Sequence, residues 1–153
     1  EHFAAISVSE LLTDMEQLHR SEFVHRGIDF RLHIAPALPR VLGNSQQVRQ
    51  AVLYCLQFAI ETVENMDSAE ERTVRMDATS EGEYVQIRIA HSGPGFLHPS
   101  RAFEPFVPAQ ASGETAGLGL SLCATILREN NGRISALNYE SRGAAIILEL
   151  QAA

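Results

Sequence analysis

Residues 91–122 read HSGPGFLHPSRAFEPFVPAQASGETAGLGLSL, and the rest of the chain is organised around this stretch. It holds half of the ten glycines and four of the six prolines in about a fifth of the length. Glycines at the point where a loop enters a helix let backbone N–H groups approach an anion, and the helix N-terminus favours negative charge. The stretch therefore predicts a loop that binds a phosphate-bearing ligand, although glycines required only by backbone turns give the same pattern.

The composition predicts one globular domain with its own core. The chain has 153 residues, of which 45% are apolar, and carries a formal net charge of −7 with no lysine. Proteins that bind nucleic-acid phosphates usually present a basic patch, so this function class is disfavoured. No apolar run reaches the length of about 18 residues that a transmembrane helix needs, and no signal-peptide pattern opens the chain. We therefore expect a cytoplasmic, monomeric domain without membrane contact.

Two cysteines lie within apolar patterns of helical spacing, at Cys55 and Cys123. Cysteine is among the residue types that are most often fully buried, and it packs as a small apolar side chain. The spacing matches neither a disulfide framework nor a metal-binding motif. We interpret both cysteines as buried, reduced thiols.

Apolar residues at helical spacing predict three helices. The first is expected from Ser9, as its N-cap, to about residue 25, and the central helix carries the longest apolar stripe, over 48–63. The third is expected over 117–130, before an Asn-Gly pair that ends it. A second line of side chains on the central helix is expected to face a ligand or another surface, and it consists of Gln50, Tyr54, Phe58 and Glu61.

Alternating apolar and polar residues predict five or six strands. One half-buried strand is expected over 28–34, and two hairpins are expected over 73–90 and 134–150. Strands joined as hairpins form antiparallel sheets. The expected fold class is α+β, as a two-layer α/β sandwich in which about three helices cover a mostly antiparallel mixed sheet.

The order of these pieces resembles the ATP-binding catalytic domain of bacterial sensor histidine kinases, whose fold is shared with DNA gyrases and heat-shock chaperones. The resemblance covers nearly the whole chain, as a single domain over residues 1–153. It implies that the chain is the C-terminal fragment of a longer two-component signalling protein. The motifs that carry it are HSGPGF at 91–96, FEPF at 103–106, TAGLGLSL at 115–122 and NNGRI at 130–134.

In that family, ATP–Mg²⁺ lies between the central helix and a glycine-rich lid, and the γ-phosphoryl group passes to a histidine on a separate dimerisation domain. The resemblance implies two partners for this chain, a histidine-bearing dimerisation domain of the same or another protein and a response regulator. None of the six histidines here stands in the family's acceptor context. The positions that match the family's nucleotide pocket are Tyr54, Phe58, His91, Gly93, Gly95, Phe103, Phe106, Gln110, Gly117, Leu118 and Gly119.

Several matching positions carry different side chains. Two asparagines of the family align with Tyr54 and Phe58, and the second is a direct Mg²⁺ ligand in the family, a role that needs an oxygen donor. The aspartate that accepts the adenine amino hydrogen aligns with His91, and a lid lysine aligns with Gln110. Thr115 replaces the first glycine of the last glycine motif. Losing two hydrogen bonds to charged groups weakens a ligand by roughly two to four decades.

These substitutions predict a degenerate, pseudokinase-like domain that binds ATP–Mg²⁺ weakly or not at all, has no metal site or catalytic residue of its own, and acts through protein contacts. The intact motifs FEPF and GLGLSL leave open an active kinase domain that uses ATP and Mg²⁺. A small-molecule sensor with an apolar pocket at Tyr54 and Phe58 is a third hypothesis. A neutral His91 is also expected to accept one hydrogen bond from adenine until it protonates near pKa 6.5.

Overall fold

The structure is a computed structural model and describes residues 3–67, 70–105 and 117–153. Within these ranges the chain forms seven strands, three α-helices and one short 3₁₀ turn. In chain order they are β1 (Phe3–Ile6), α1 (Val8–His25), β2 (Asp29–Ile34), β3 (Val41–Asn44), α2 (Ser45–Glu64), β4 (Thr73–Glu81), β5 (Tyr84–His91), the 3₁₀ turn (Pro99–Arg101), α3 (Gly117–Glu129), β6 (Arg133–Asn138) and β7 (Ala144–Gln151).

Five of the strands form one mixed sheet in the order β2-β4-β5-β7-β6. Strand β2 runs parallel to β4, and the other neighbouring pairs are antiparallel. Strands β1 and β3 pair in a separate small antiparallel sheet. The predicted α+β class with a mostly antiparallel mixed sheet is confirmed.

Two details of the sequence prediction are wrong. The number of strands is seven among the described residues, because β3 was not expected; it has only four residues, and its Gly43-Asn44 pair has the composition of a turn. The N-cap of α1 is Ser7 and not Ser9, since the Ser7 side chain accepts a hydrogen bond from the backbone N–H of Glu10 at 3.1 Å. The buried residue Val8 therefore already belongs to the helix.

The core lies between α2 and the inner face of the sheet. Alternate residues of β5 are buried, so one face of this strand points to the helices and the other is more exposed. The apolar stripe of α2 packs against this face as the sequence predicts. Among the described residues, no helix combines the length and the apolar character needed to cross a membrane.

A buried asparagine fixes α3 relative to α2. Asn130 follows α3 and is fully buried. Its Oδ1 accepts a hydrogen bond from the backbone N–H of Asn44 at 2.7 Å, and its Nδ2 donates to Gln47 Oε1 at 3.0 Å and to the backbone oxygen of Ile126 at 2.8 Å. Gly43 lies so close that a Cβ there would stand 2.9 Å from Asn130 Oδ1. These contacts join the end of α3 to the beginning of α2.

Candidate functional site

Three rings form an aromatic cluster between α2 and the glycine loop that follows β5. The cluster consists of Phe58 on α2, His91 at the end of β5 and Phe96 in the loop. The rings of Phe58 and Phe96 are stacked, with centroids 5.5 Å apart and an angle of 11° between the planes. Phe58 also meets the His91 ring edge-on, at 6.3 Å and 68°. All three residues are buried, so their rings fill this part of the predicted pocket.

Phe96 was not predicted as a site residue. The sequence places it directly after Gly93-Pro94-Gly95, as the last residue of the HSGPGF motif. Its stacking on Phe58 depends on the way α2 packs against the loop, which no local pattern reveals.

The predicted line on α2 divides into two environments. Gln50 and Glu61 are exposed, Tyr54 is half-buried, and Phe58 is only 6% exposed. The side-chain amide of Gln50 donates a hydrogen bond of 3.0 Å to the Tyr54 hydroxyl. The first half of the line is therefore a polar pair near solvent, and Phe58 belongs to the core.

His91 is buried and its ring nitrogens have different roles. The backbone N–H of Gly93 donates to Nδ1 at 3.0 Å, so Nδ1 is the acceptor and the neutral ring carries its proton on Nε2. Nε2 is buried and makes no hydrogen bond within the described part of the chain. Burial lowers the pKa of His91 from 6.5 to about 4, because the charged ring is poorly solvated there. At neutral pH His91 is uncharged and offers a donor.

These findings correct two expectations about His91. Its ring does not have a free acceptor for the adenine amino group, because the chain's own Gly93 already occupies Nδ1. His91 does not become protonated near pH 6.5, because burial lowers its pKa to about 4.

The glycines of the loop are needed for close packing. A Cβ at Gly93 would lie 2.8 Å from Cγ2 of Thr62 on α2, and a Cβ at Gly95 would lie 2.6 Å from Oδ1 of Asn138. Neither glycine has a positive φ. Both residues are therefore required by contacts inside the fold, whether or not a ligand approaches the loop.

Two residues of the β6–β7 hairpin hold the loop in place. Asn138 accepts a hydrogen bond from the Phe96 N–H at 2.7 Å and donates one to the Phe96 carbonyl oxygen at 3.0 Å. The guanidinium of Arg142 donates to the Ser92 carbonyl oxygen at 3.0 Å and pairs with Glu70 at 2.6 Å. Sequence reasoning missed Asn138 and Arg142, because they lie more than 40 residues after the loop and belong to no motif. The β6–β7 hairpin thus holds the glycine loop in place.

The remaining predicted positions are not all brought into this cluster. Phe103 is half-buried and lines a separate groove of about 500 Å³ beside α3 and β6. Gly117 is the first described residue of α3, and a Cβ at Gly119 would have no neighbouring atom within 4 Å among the described residues. Phe106 and Gln110 lie outside the described residues, and so does Thr115. For Leu118 only the helical backbone is described.

The Phe58 side chain does not fit Mg²⁺, which binds oxygen ligands in a nearly octahedral arrangement. Phe58 offers no oxygen, and its ring is packed against Phe96. Within the described ranges, no group of three or more His, Cys, Asp or Glu side chains is placed to hold a metal ion. Phe58, the residue that the resemblance aligns with the metal ligand, is part of the aromatic cluster.

Curated relatives are sensor kinases. The alginate biosynthesis sensor protein KinB of Pseudomonas aeruginosa is 28% identical over 149 residues, which cover 96% of this chain and 24% of KinB. The sensory histidine kinase/phosphatase NtrB of Rhodobacter capsulatus is 32% identical over 125 residues, which cover 71% of this chain and 35% of NtrB. The chain thus spans about a quarter to a third of the length of these relatives.

Solved structures share the fold. The catalytic domain of histidine kinase ThkA superposes with a TM-score of 0.85 at 24% identity, over 99% of both chains. The complex of ThkA with the response regulator protein TrrA gives a TM-score of 0.81 at 22% identity, over 99% of this chain and 42% of that chain. The family model described as histidine kinase-, DNA gyrase B- and HSP90-like ATPase matches residues 43–153, well over half of the chain. The chain therefore belongs to the histidine kinase-, DNA gyrase B- and HSP90-like ATPase family.

Proposed function

We propose that this chain is the ATPase-type domain of a two-component sensor histidine kinase, that it binds ATP–Mg²⁺ weakly or not at all, and that it acts through protein contacts. The observation that carries this proposal is the buried stack of Phe58 on Phe96, with ring centroids 5.5 Å apart. The resemblance aligns Phe58 with a metal ligand of the family, and a ring packed in this way offers no oxygen to a metal ion.

The hydrogen bonding of His91 supports the same proposal. In the family the adenine amino group donates to a carboxylate at this position, whereas Nε2–H of His91 is itself a donor. Two donors cannot bond to each other. Losing one hydrogen bond to a charged group costs about 1.5–3 kcal/mol, or roughly ten- to 150-fold in affinity. The loss of the metal ligand lowers the affinity for ATP–Mg²⁺ further.

Calorimetric titration of the chain with ATP–Mg²⁺ tests the proposal. We expect no saturable heat at micromolar concentrations, and the same result in the presence of EDTA. Micromolar binding that EDTA abolishes would overturn the proposal. A relative that has asparagine at the position of Phe58 and aspartate at that of His91 provides the positive control.

The proposed partners are a histidine-bearing dimerisation domain and a response regulator. One solved relative of this fold, ThkA, forms a complex with the response regulator TrrA, and another, ShkA, is known as a full-length chain that includes this fold. Co-purification of this chain with the dimerisation domain of its own protein, in the absence of nucleotide, tests the contact. Binding that requires ATP would contradict an action independent of nucleotide.

A second candidate function is that of an active catalytic domain, which transfers the γ-phosphoryl group of ATP to a histidine on a separate dimerisation domain. The observation in its favour is that the GLGLSL motif of the family, residues 117–122, lies within α3. Incubation of the full-length protein with γ-labelled ATP distinguishes the two candidates, with an active sensor kinase as the control. Labelling of a histidine would favour this second candidate.

A further inference from the structure

The two cysteines of the chain meet in the core between α2 and α3. Cys55 on α2 and Cys123 on α3 are fully buried, and their Sγ atoms are 3.6 Å apart. The Cys55 thiol donates to Sγ of Cys123, and the Cys123 thiol donates to the backbone oxygen of Ala51 at 3.4 Å. The two thiols therefore contact each other, with Cys55 as the donor to Cys123.

The separation of the sulfurs suits a covalent bond. A disulfide joins sulfurs at about 2.05 Å, so the two Sγ atoms need to approach by about 1.5 Å. Each sulfur lies on a rotatable side chain of a different helix, so small side-chain and helix adjustments supply this approach. We propose that Cys55 and Cys123 form a redox-sensitive dithiol, which a hydroperoxide oxidises to a disulfide that fastens α3 to α2.

The reaction balances with the hydroperoxide as the oxidant. One thiol sulfur bonds to the terminal peroxide oxygen, the O–O bond breaks, and an alcohol leaves with a sulfenic acid formed. The second thiol sulfur then attacks the sulfenic sulfur, the S–O bond breaks, and water leaves with the thiol proton. Two thiols are oxidised and one hydroperoxide is reduced.

Burial determines when this reaction occurs. The hydrogen bond with Cys123, together with burial, raises the pKa of Cys55 well above its ordinary range, so the thiolate is scarce while α3 is seated on α2. An oxidant therefore reaches the sulfurs only in rare openings in which the Asn130 contacts between α3 and α2 break. The disulfide then holds α3 in the seated position, because it closes a loop between residues that are 68 positions apart.

The test treats the 153-residue chain at neutral pH with tert-butyl hydroperoxide and follows it by intact mass and peptide mapping. We expect the loss of two hydrogens and one cross-linked peptide pair that contains Cys55 and Cys123. The rate should not depend on protein concentration, and dithiothreitol should reverse the change. Closure of a loop of this length is expected to raise the Tm by roughly 10 °C. Peptide mapping separates this product from methionine oxidation.

Cys55→Ala and Cys123→Ala are matched controls, since each leaves one thiol in the same core. Neither variant should form an intramolecular cross-link. The proposal is overturned if the wild-type chain gives no cross-link between Cys55 and Cys123, if the cross-link forms only in urea, or if the Tm falls on oxidation. These readouts use the wild-type chain, so they hold even where an alanine variant fails to fold.

Discussion

The backbone N–H of Gly93 donates a hydrogen bond of 3.0 Å to Nδ1 of His91, and this contact determines what His91 can offer to a ligand. A neutral imidazole has one acceptor nitrogen, and here the chain itself occupies it. Nε2–H remains as a buried donor without a partner among the described residues. An imidazole at this position thus helps to hold the glycine loop, whereas a carboxylate would have further lone pairs for a ligand.

The depressed pKa of His91 predicts acid sensitivity of the fold. Between its folded pKa of about 4 and the ordinary value of 6.5, the unfolded chain binds a proton that the folded chain excludes. Stability from this group is therefore complete above about pH 6.5 and is lost as the pH falls towards 4. From pH 7.5 to pH 5 we expect a loss of about 2 kcal/mol in the free energy of unfolding.

Urea unfolding of the wild-type chain and of His91→Asn at both pH values measures this contribution. The asparagine keeps an oxygen acceptor for the Gly93 N–H and does not titrate. Between pH 7.5 and pH 5, the free energy of unfolding of His91→Asn should therefore fall by less than that of the wild-type chain. An equal pH dependence in the two proteins would show that His91 titrates normally in the folded chain.

Two glycines of the predicted site should respond to alanine in opposite ways. Gly95→Ala places a Cβ 2.6 Å from Asn138 Oδ1, so Asn138 has to move and its two hydrogen bonds to Phe96 are lost. We expect this change to lower the free energy of unfolding by about 1–3 kcal/mol. Gly119→Ala meets no atom of the described residues within 4 Å and lies in α3, so it should raise stability by roughly 0.5–1 kcal/mol.

Chemical denaturation of the two alanine variants shows whether close packing requires a glycine at position 95 but not at position 119. Asn138→Ala in the Gly95→Ala background serves as the control, because it removes the clashing side chain. Asn138→Ala should lower the free energy of unfolding by less in the Gly95→Ala background than in the wild-type chain. Equal stabilities of the two glycine variants would contradict the packing explanation.

Periodicity and motif order predict most of the fold but only part of the site. The apolar stripe of α2 and the alternation in β5 are local patterns, so both elements follow from the sequence. Strand β3 does not, because it is short and is formed by pairing with β1, far earlier in the chain. The resemblance points to Phe58 and His91, yet the stack on Phe96 and the bond from Gly93 arise from tertiary packing.

Asn130 is predicted to be the most sensitive polar residue of the helical layer. Asn130→Ala removes three hydrogen bonds and leaves the Asn44 N–H and Gln47 Oε1 without this partner. We expect a loss of about 2–4 kcal/mol in the free energy of unfolding. Asn130→Asp keeps the acceptor for the Asn44 N–H and serves as the control. Urea unfolding checks both, and a loss below 1 kcal/mol for alanine, about one ordinary hydrogen bond, would contradict the role assigned to Asn130.

In the proposed function, the side chains of Phe58 and His91 prevent ATP–Mg²⁺ from binding. The most direct measurement is a calorimetric titration with ATP–Mg²⁺ of the wild-type chain, Phe58→Asn, His91→Asp and the double variant, each with a cooperative unfolding transition. Phe58→Leu is the matched control, because it removes the ring without adding an oxygen. We predict saturable binding by the double variant alone, with loss of that binding in EDTA. Micromolar binding by the wild-type chain, or no gain in the folded double variant, would contradict it.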